Sequence, residues 1–395
     1  MKALKNNVYF CQKYLKMSRF FFLRLSVVLL LFPLLSACSH SGANSNATTP
    51  DSSATVAYAK GFAIDYFAHY TRVTVFNPWK KGAVQACYYV TYKANTSTPD
   101  KSKTVVAPLT SLAATSATHY AFVAALHQLL SITGISSPQL VYNHELLQQF
   151  QHGHITDLGD PFSLNVEKTM ALKPQALMMS SYNQTDPAAE RISQAGIPVI
   201  FNNEWMETSP LGRAEWIKFV AVFYHKEKMA DSIFNALEKR YLSIQSLALK
   251  AEKKPSVMIG NNFKGTWYVP SGKGFMGHIL ADAQLNYFFT TDTTTGSIPI
   301  NFEKALQHFV DADIWLNCDV DYLQALPASD TRYSLFKAYR NKQVYTLKQR
   351  VTAAGGNDFW EGGVMHPDLI LSDFVKVLHP ELLPDYQLTY VKKLE

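Results

Sequence analysis

The sequence is short of cysteine, of net charge and of bilayer-spanning apolar runs, and each shortage closes off a class of protein. Of four cysteines in 395 residues, Cys11 and Cys38 sit near the start, which leaves Cys87 and Cys318 far apart in the remainder. Two distant cysteines make neither a disulfide framework nor a metal site, so both read as small buried hydrophobes. The formal charge of +6 equals the charge of Lys2, Lys5, Lys13, Lys16, Arg19 and Arg24, which lie in a stretch without an acid. The rest is therefore neutral and carries no electrostatic footprint for nucleic acid. The apolar run Leu25 to Leu35 is too short to cross a bilayer.

Catalytic signatures are also missing. There is no G-x-S-x-G elbow and no H-E-x-x-H, and Gly272-Lys273 lacks the upstream glycine and following hydroxyl of a phosphate loop. Glu204 with Glu207, or Asp358 with Glu361, could be the paired carboxylates of a glycosidase, but carboxylates three apart on a loop are common. The twelve histidines include His144, His152 and His154 but fit no standard zinc spacing. A carboxylate-dependent hydrolase and a bare Zn or Mn binder stand as the alternatives to the reading below, and no enzyme and no cofactor are expected.

What is present is material for a large core. Hydrophobic residues make up 47% and aromatic residues 13% of a chain long enough for two domains. Between Gly212 and Pro255 neither glycine nor proline intervenes, and Met229, Ile233, Leu237, Tyr241 and Ile244 recur on one helical face. Ser209-Pro210 is a start signal and Lys253-Lys254-Pro255 a stop signal. One helix of that length would run roughly 60 Å, so a bend is expected near Tyr224-His225-Lys226.

Around this stretch strands alternate with helices, the pattern of parallel βα units. Strands are expected at Val56–Tyr58, Val73–Phe76, Cys87–Tyr92, Val105–Val106, Gln139–Val141, Ala176–Met179 and Pro198–Phe201, and helices at Ala121–Leu130, Glu145–Phe150, Val166–Ala171 and Pro187–Ala195. After Pro255 the expected strands are Ser256–Ile259, Asp313–Leu316 and Val344–Tyr345; the helices are Phe275–Asp282, Phe302–Phe309, Leu335–Tyr339 and His366–Leu378. The fold class is α/β, with two Rossmann-like lobes built on central parallel sheets and joined by one long linker helix. The expected division is a leader 1–37, a Ser/Thr/Asn-rich tether 38–55, an N-terminal lobe 56–209, the linker 210–254 and a C-terminal lobe 255–395.

Basic residues, then an apolar run, then Leu35-Ser36-Ala37-Cys38 resemble a bacterial lipoprotein signal, with Met17 an alternative start. That resemblance implies cleavage before Cys38, lipid on its sulfur and a membrane anchor on the periplasmic side.

One phrase occurs in both halves. Asn165-Val166-Glu167-Lys168 leads to the strand at Ala176, and Asn301-Phe302-Glu303-Lys304 leads to the strand at Asp313. An Asn cap with Glu in the first turn has a local explanation in capping and the helix dipole, but its repetition points to a shared surface role. With Ala171-Leu172-Lys173-Pro174, Ala195-Gly196-Ile197-Pro198-Val199, the long helix, Gly274-Phe275 before Leu280-Ala281-Asp282-Ala283, and Gly355-Gly356-Asn357-Asp358-Phe359-Trp360-Glu361, the chain from about Val105 onward resembles a known family. It is that of the periplasmic binding proteins for iron-siderophores, haem and vitamin B12 that serve ABC importers.

The resemblance implies that Glu167 and Glu303 dock on arginines of an ABC permease, and that a metal chelate lies between the lobes. The loops expected to meet it are Ser111 to His119, Ser181 to Gln184, Asn203 to Glu207, Thr266 to Lys273 and Asn357 to Glu361. Within them Ser111, His119, Tyr182, Trp205, Trp267, Tyr268, Lys273 and Trp360 are the candidate ligand contacts: flat aromatic faces for a macrocycle or catecholate, and a cation for an anionic chelate. The vitamin B12 binder has a tryptophan six residues before each docking glutamate; Pro161 and Ser297 stand there here, which leaves the chelate open. A monomer is expected. A chelate-capturing lipoprotein without a permease is the remaining alternative.

Overall fold

The computed structural model describes residues 49–183 and 185–395. The leader 1–37, Cys38 and the tether as far as residue 48 lie outside the described residues, as does Gln184. Alternating apolar residues build the first sheet. Its strands β1 (Ser52–Ser53), β2 (Phe62–Tyr66), β3 (Thr71–Phe76), β4 (Val84–Thr91) and β5 (Thr104–Val106) follow one another in order, antiparallel except for the last pair. Phe62, Ile64, Val73, Val75, Tyr88 and Val90 face inward and are buried.

The N-terminal lobe follows. It consists of β6 (Leu112–Ala114), α1 (Ala117–Ala125), β7 (Ile132–Ile135), α2 (His144–Gln151), β8 (Thr156–Asp157), the hairpin β9 (Gly159–Asp160) and β10 (Ser163–Leu164), α3 (Val166–Leu172), β11 (Ala176–Met179), α4 (Pro187–Gln194) and β12 (Val199–Phe201). Its sheet runs β12-β11-β6-β7-β8 with every pair parallel. The C-terminal lobe has a smaller parallel sheet. After α5 (Pro210–Val222) and α6 (Glu227–Ala248) come β13 (Ser256–Ile259), β14 (Asn262–Phe263), β15 (Thr266–Pro270), α7 (Phe275–Asp282), β16 (Asn286–Tyr287), β17 (Ser297–Ile300), α8 (Phe302–Phe309), β18 (Ile314–Leu316) and α9 (Pro367–Leu378). β13 lies between β16 and β18, parallel to both, while β14, β15 and β17 form a separate antiparallel sheet.

Three expectations need correction. Residues 210–254 do not form one helix: α5 and α6 are separate, and the break falls where the bend was expected, with His225 at φ 56°. The start signal works as read, since Ser209 caps Gly212 N–H at 3.0 Å with Pro210 at the first turn. The bridge is α6 alone, 22 residues or about 33 Å long. It reaches the C-terminal lobe through Arg240 Nε to Asp368 at 2.6 Å and the segment between β1 and β2 through Tyr58 to Glu238.

Val56–Tyr58 is not a strand. The backbone N–H groups of Ala57, Tyr58 and Ala59 donate instead to the Glu215 carboxylate on α5 at 2.7 to 2.9 Å. Every residue of α5 except Arg213 is buried, Glu215 and Lys218 included. The carboxylate survives there because those N–H groups and Lys218 Nζ, at 3.0 Å, satisfy it. The third correction concerns Gln139–Val141, where Pro138–Leu140 makes a 3-10 turn. The strand lies earlier, at Ile132–Ile135, where a side chain on Gly134 would meet Leu172 at 2.8 Å.

Candidate functional site between the lobes

In a parallel sheet the loops that leave the carboxyl ends of the strands gather at one edge, and ligands bind there. In the N-terminal lobe those loops carry Thr115, Ser116, Ser136, Ser180, Ser181, Asn202, Asn203 and Glu204. Tyr182, after β11, and Trp205, after β12, stand beside each other with ring centroids 5.5 Å apart and 37% and 38% exposure. Phe162, in the β9–β10 turn, extends the row, 4.6 Å from Tyr182 and more exposed still. Burial pushes the Tyr182 phenol up, with Glu204 and Asp160 adding to the shift.

Beneath this row lies a buried polar group. His119 Nε2 is 3.8 Å from Glu204 Oε2, and Arg213 Nη2 is 3.3 Å from Glu204 Oε1. Burial lowers the His119 pKa against the pull of Glu204. Arg213 spans the junction, its guanidinium 4.5 Å from the Phe275 ring of the C-terminal lobe. A cavity of about 10 Å³ there is lined by Thr118, Arg213, Phe275, Phe359 and Trp360 among others.

The lobes are fastened beside this point. Glu361 accepts the N–H of Tyr142 at 2.6 Å and of Asn143 at 2.8 Å, at the start of α2. Gly356 lies against the Val141 carbonyl, where an added Cβ would come within 2.2 Å, and Arg350 lies 5.4 Å over the Tyr142 ring. Arg350 also pairs with Asp358 at 2.9 Å. The carboxylates of the Glu204–Glu207 and Asp358–Glu361 pairs are thus engaged in the fold; Glu207 accepts from Lys60 N, Gly61 N and Trp216 Nε1.

Of the sequence-derived ligand contacts, the structure brings Tyr182 and Trp205 together and sets Trp360, half exposed, at the interlobe cavity. Tyr268 on β15 and Lys273 in the turn before α7 are exposed on the C-terminal lobe. Three others are corrected. Ser111 precedes β6, at the opposite end of the strand from the ligand edge, and bonds Thr133 and Gln175. His119, in the first turn of α1, is wholly buried and has no surface to offer a ligand. Trp267 is core: it stacks 5.6 Å from Trp315 and donates to the Ile259 carbonyl.

Arg213 carries no signal of its own in the sequence because it lies inside an apolar helical run, and Phe275 is visible only as part of the Gly274-Phe275 mark of the resemblance. Phe162 carried one usable signal, an aromatic in a turn shortly before the Asn165 cap. Among the described residues no group of three or more His, Cys, Asp or Glu side chains is placed to hold a metal ion.

The repeated phrases are built alike. Asn165 caps Lys168 N–H at 2.9 Å and Asn301 caps Lys304 N–H at 2.9 Å. Glu167 and Glu303 each have a side chain 72% exposed, with Arg191 at 2.9 Å and Arg332 at 3.3 Å respectively. Capping by its own backbone N–H and then Arg191 lower the Glu167 pKa.

The sequence profile described as "Periplasmic binding protein" matches residues 112–351. An uncharacterized lipoprotein of Methanocaldococcus jannaschii is 27% identical over 292 residues, 71% of this chain and 68% of its own. Among solved structures, an ABC transporter substrate-binding protein from Listeria monocytogenes superposes with a TM-score of 0.51 at 18% identity, over 69% of this chain and 100% of its own. A periplasmic heme binding protein from Pseudomonas aeruginosa gives 0.55 at 15% identity, over 73% of this chain and 99% of its own.

Proposed function

The chain belongs to the periplasmic binding protein family and has its class III two-lobe fold, and on that premise we propose that it is a lipid-anchored capture protein for an ABC importer. It takes a metal chelate, a ferric siderophore, haem or a corrinoid, between the lobes and hands it to the permease. The observation that carries this reading is the matched pair Glu167 and Glu303. Two carboxylates with equal exposure, each at the start of an Asn-capped helix and each beside an arginine, are preorganised to exchange their own guanidinium for a partner's.

The aromatic row Phe162, Tyr182 and Trp205 supplies flat apolar surface of the kind a macrocycle or catecholate stacks on. Cys38, as the lipidated residue, holds the protein at the periplasmic face of a membrane, where it works as a monomer. The experiment is chelate uptake by cells carrying Glu167→Ala with Glu303→Ala, alongside fluorescence titration of the purified variant with haemin, cyanocobalamin and a ferric catecholate. Uptake lost with affinity kept supports the reading; import at the normal rate by the double variant removes it.

A further inference from the structure

Gln85 lies on β4, in the N-terminal sheet and outside the region 112–351 that defines the family match. Its carboxamide reaches across to two loops of the N-terminal lobe. Gln85 Nε2 donates to Ser181 Oγ at 2.6 Å, and Gln85 Oε1 accepts from Asn203 Nδ2 at 2.7 Å. Asn203 Oδ1 in turn accepts from Ser181 N at 2.9 Å, which closes a ring of three hydrogen bonds. Ser181 and Asn203 are buried and Gln85 is partly buried, so the ring sits at the edge of the interior.

The ring joins the loop after β11 to the loop after β12, at the two points where the aromatic residues leave the sheet. Tyr182 follows Ser181 directly, and Trp205 lies two residues beyond Asn203. The same strand makes a second tie to this edge: Tyr88 Oη accepts the N–H of Phe201, the last residue of β12. We propose that Gln85 is a positioning residue for the ligand-facing pair Tyr182 and Trp205: it fixes the two loops against each other and thereby sets the spacing of the aromatic face. The N-terminal sheet is then part of the binding apparatus. This rests on the interlobe-binding reading given above.

The chemistry makes a discriminating series possible. A leucine at position 85 fills the same volume but can neither accept from Asn203 nor donate to Ser181. A glutamate can accept from both, because the Ser181 hydroxyl is able to reverse its role. The test uses the full mature chain as wild type, Gln85→Leu and Gln85→Glu, each also with Trp205→Phe so that the Trp205 contribution to near-ultraviolet circular dichroism and emission is obtained by difference. Dissociation rates of haemin, cyanocobalamin and a ferric tris-catecholate, and thermal midpoints, are measured on the same proteins.

In Gln85→Leu the Trp205 signal changes and the bound probe leaves roughly tenfold faster, the size expected for one or two lost, partly buried hydrogen bonds. Gln85→Glu restores both. An unchanged Trp205 signal in Gln85→Leu overturns the proposal, as does a loss that tracks the fall in thermal midpoint equally in the leucine and glutamate variants. Should the wild type bind none of the probes, the chelate reading is what fails, and the ligand-free Trp205 signal still decides the role of Gln85.

Discussion

Glu361 of the C-terminal lobe accepts the backbone N–H of Tyr142 in the N-terminal lobe at 2.6 Å, although 219 positions of chain separate them. The carboxylate is buried, and its second oxygen takes the N–H of Asn143, which itself caps α2 through Leu146. One side chain thereby fastens the two lobes at the rim of the cavity that Trp360 lines. Glu361→Ala leaves two N–H groups without their acceptor and should cost about 1–3 kcal/mol. Urea unfolding measures the loss, and hydrogen exchange should show the amides of Tyr142 and Asn143 opening faster while those of β11 do not change.

The same carboxyl gives a pH dependence of known sign. Burial raises the Glu361 pKa to about 7, against the lowering effect of the two N–H donors, with the charge of Asp358 adding to the rise. A pKa raised in the folded state means that the folded protein binds the proton more tightly than the unfolded chain. The contribution is therefore present in full below the ordinary glutamate range and is lost as pH climbs through 7. Between the ordinary glutamate range and about pH 7 the unfolding free energy of the wild type should fall relative to that of Glu361→Gln. Parallel curves for the two proteins would remove Glu361 as the source.

The tryptophans divide into two kinds that a single assay separates. Trp267 is fully buried against Trp315, Phe302 and Phe336, so Trp267→Ala should cost about 3–5 kcal/mol in stability. Trp205 and Trp360 are substantially exposed, and their replacement by alanine should change stability by less than about 1 kcal/mol. Under the proposed function these last two variants lose chelate affinity. Paired denaturation and titration curves decide the matter.

Glu215 holds the segment that joins β1 to β2 through Ala57, Tyr58 and Ala59. Removing one side of a buried charged pair is strongly destabilising, so Glu215→Ala should cost about 3–5 kcal/mol and leave Lys218 with only the Thr55 carbonyl and the more distant Asp231. Limited proteolysis should then cut near residues 55–61 before any site in the lobes. Glu215→Ala with Lys218→Met, which removes both charges, should recover part of the loss.

The elements legible in the sequence share a property: their signals are local. Asn165 and Asn301 cap the turns that follow them, Ser209-Pro210 starts a helix, and Ala176–Met179 is a strand buried throughout. The elements missed depend on distant partners. Residues 56–58 resemble a strand in composition, but the Glu215 carboxylate on α5 takes their N–H groups. The break at His225 falls where the length of the run required a bend, but no glycine or proline marks it, and the left-handed backbone at His225 that separates α5 from α6 outright has no local signal.

The sequence by itself determined the alternation of strand and helix, the two capped glutamates in corresponding places and the family, because helix caps, periodicity and motif spacing act within a few residues. Tertiary structure alone decided which aromatic rings are exposed, which of two carboxylate pairs straps a sheet and which fastens the lobes, and that Gln85 reaches Ser181 and Asn203. Burial is a property of what covers a residue. Trp205 and Trp267 are alike as letters, and only the packing of remote segments hides one ring and leaves the other on the surface.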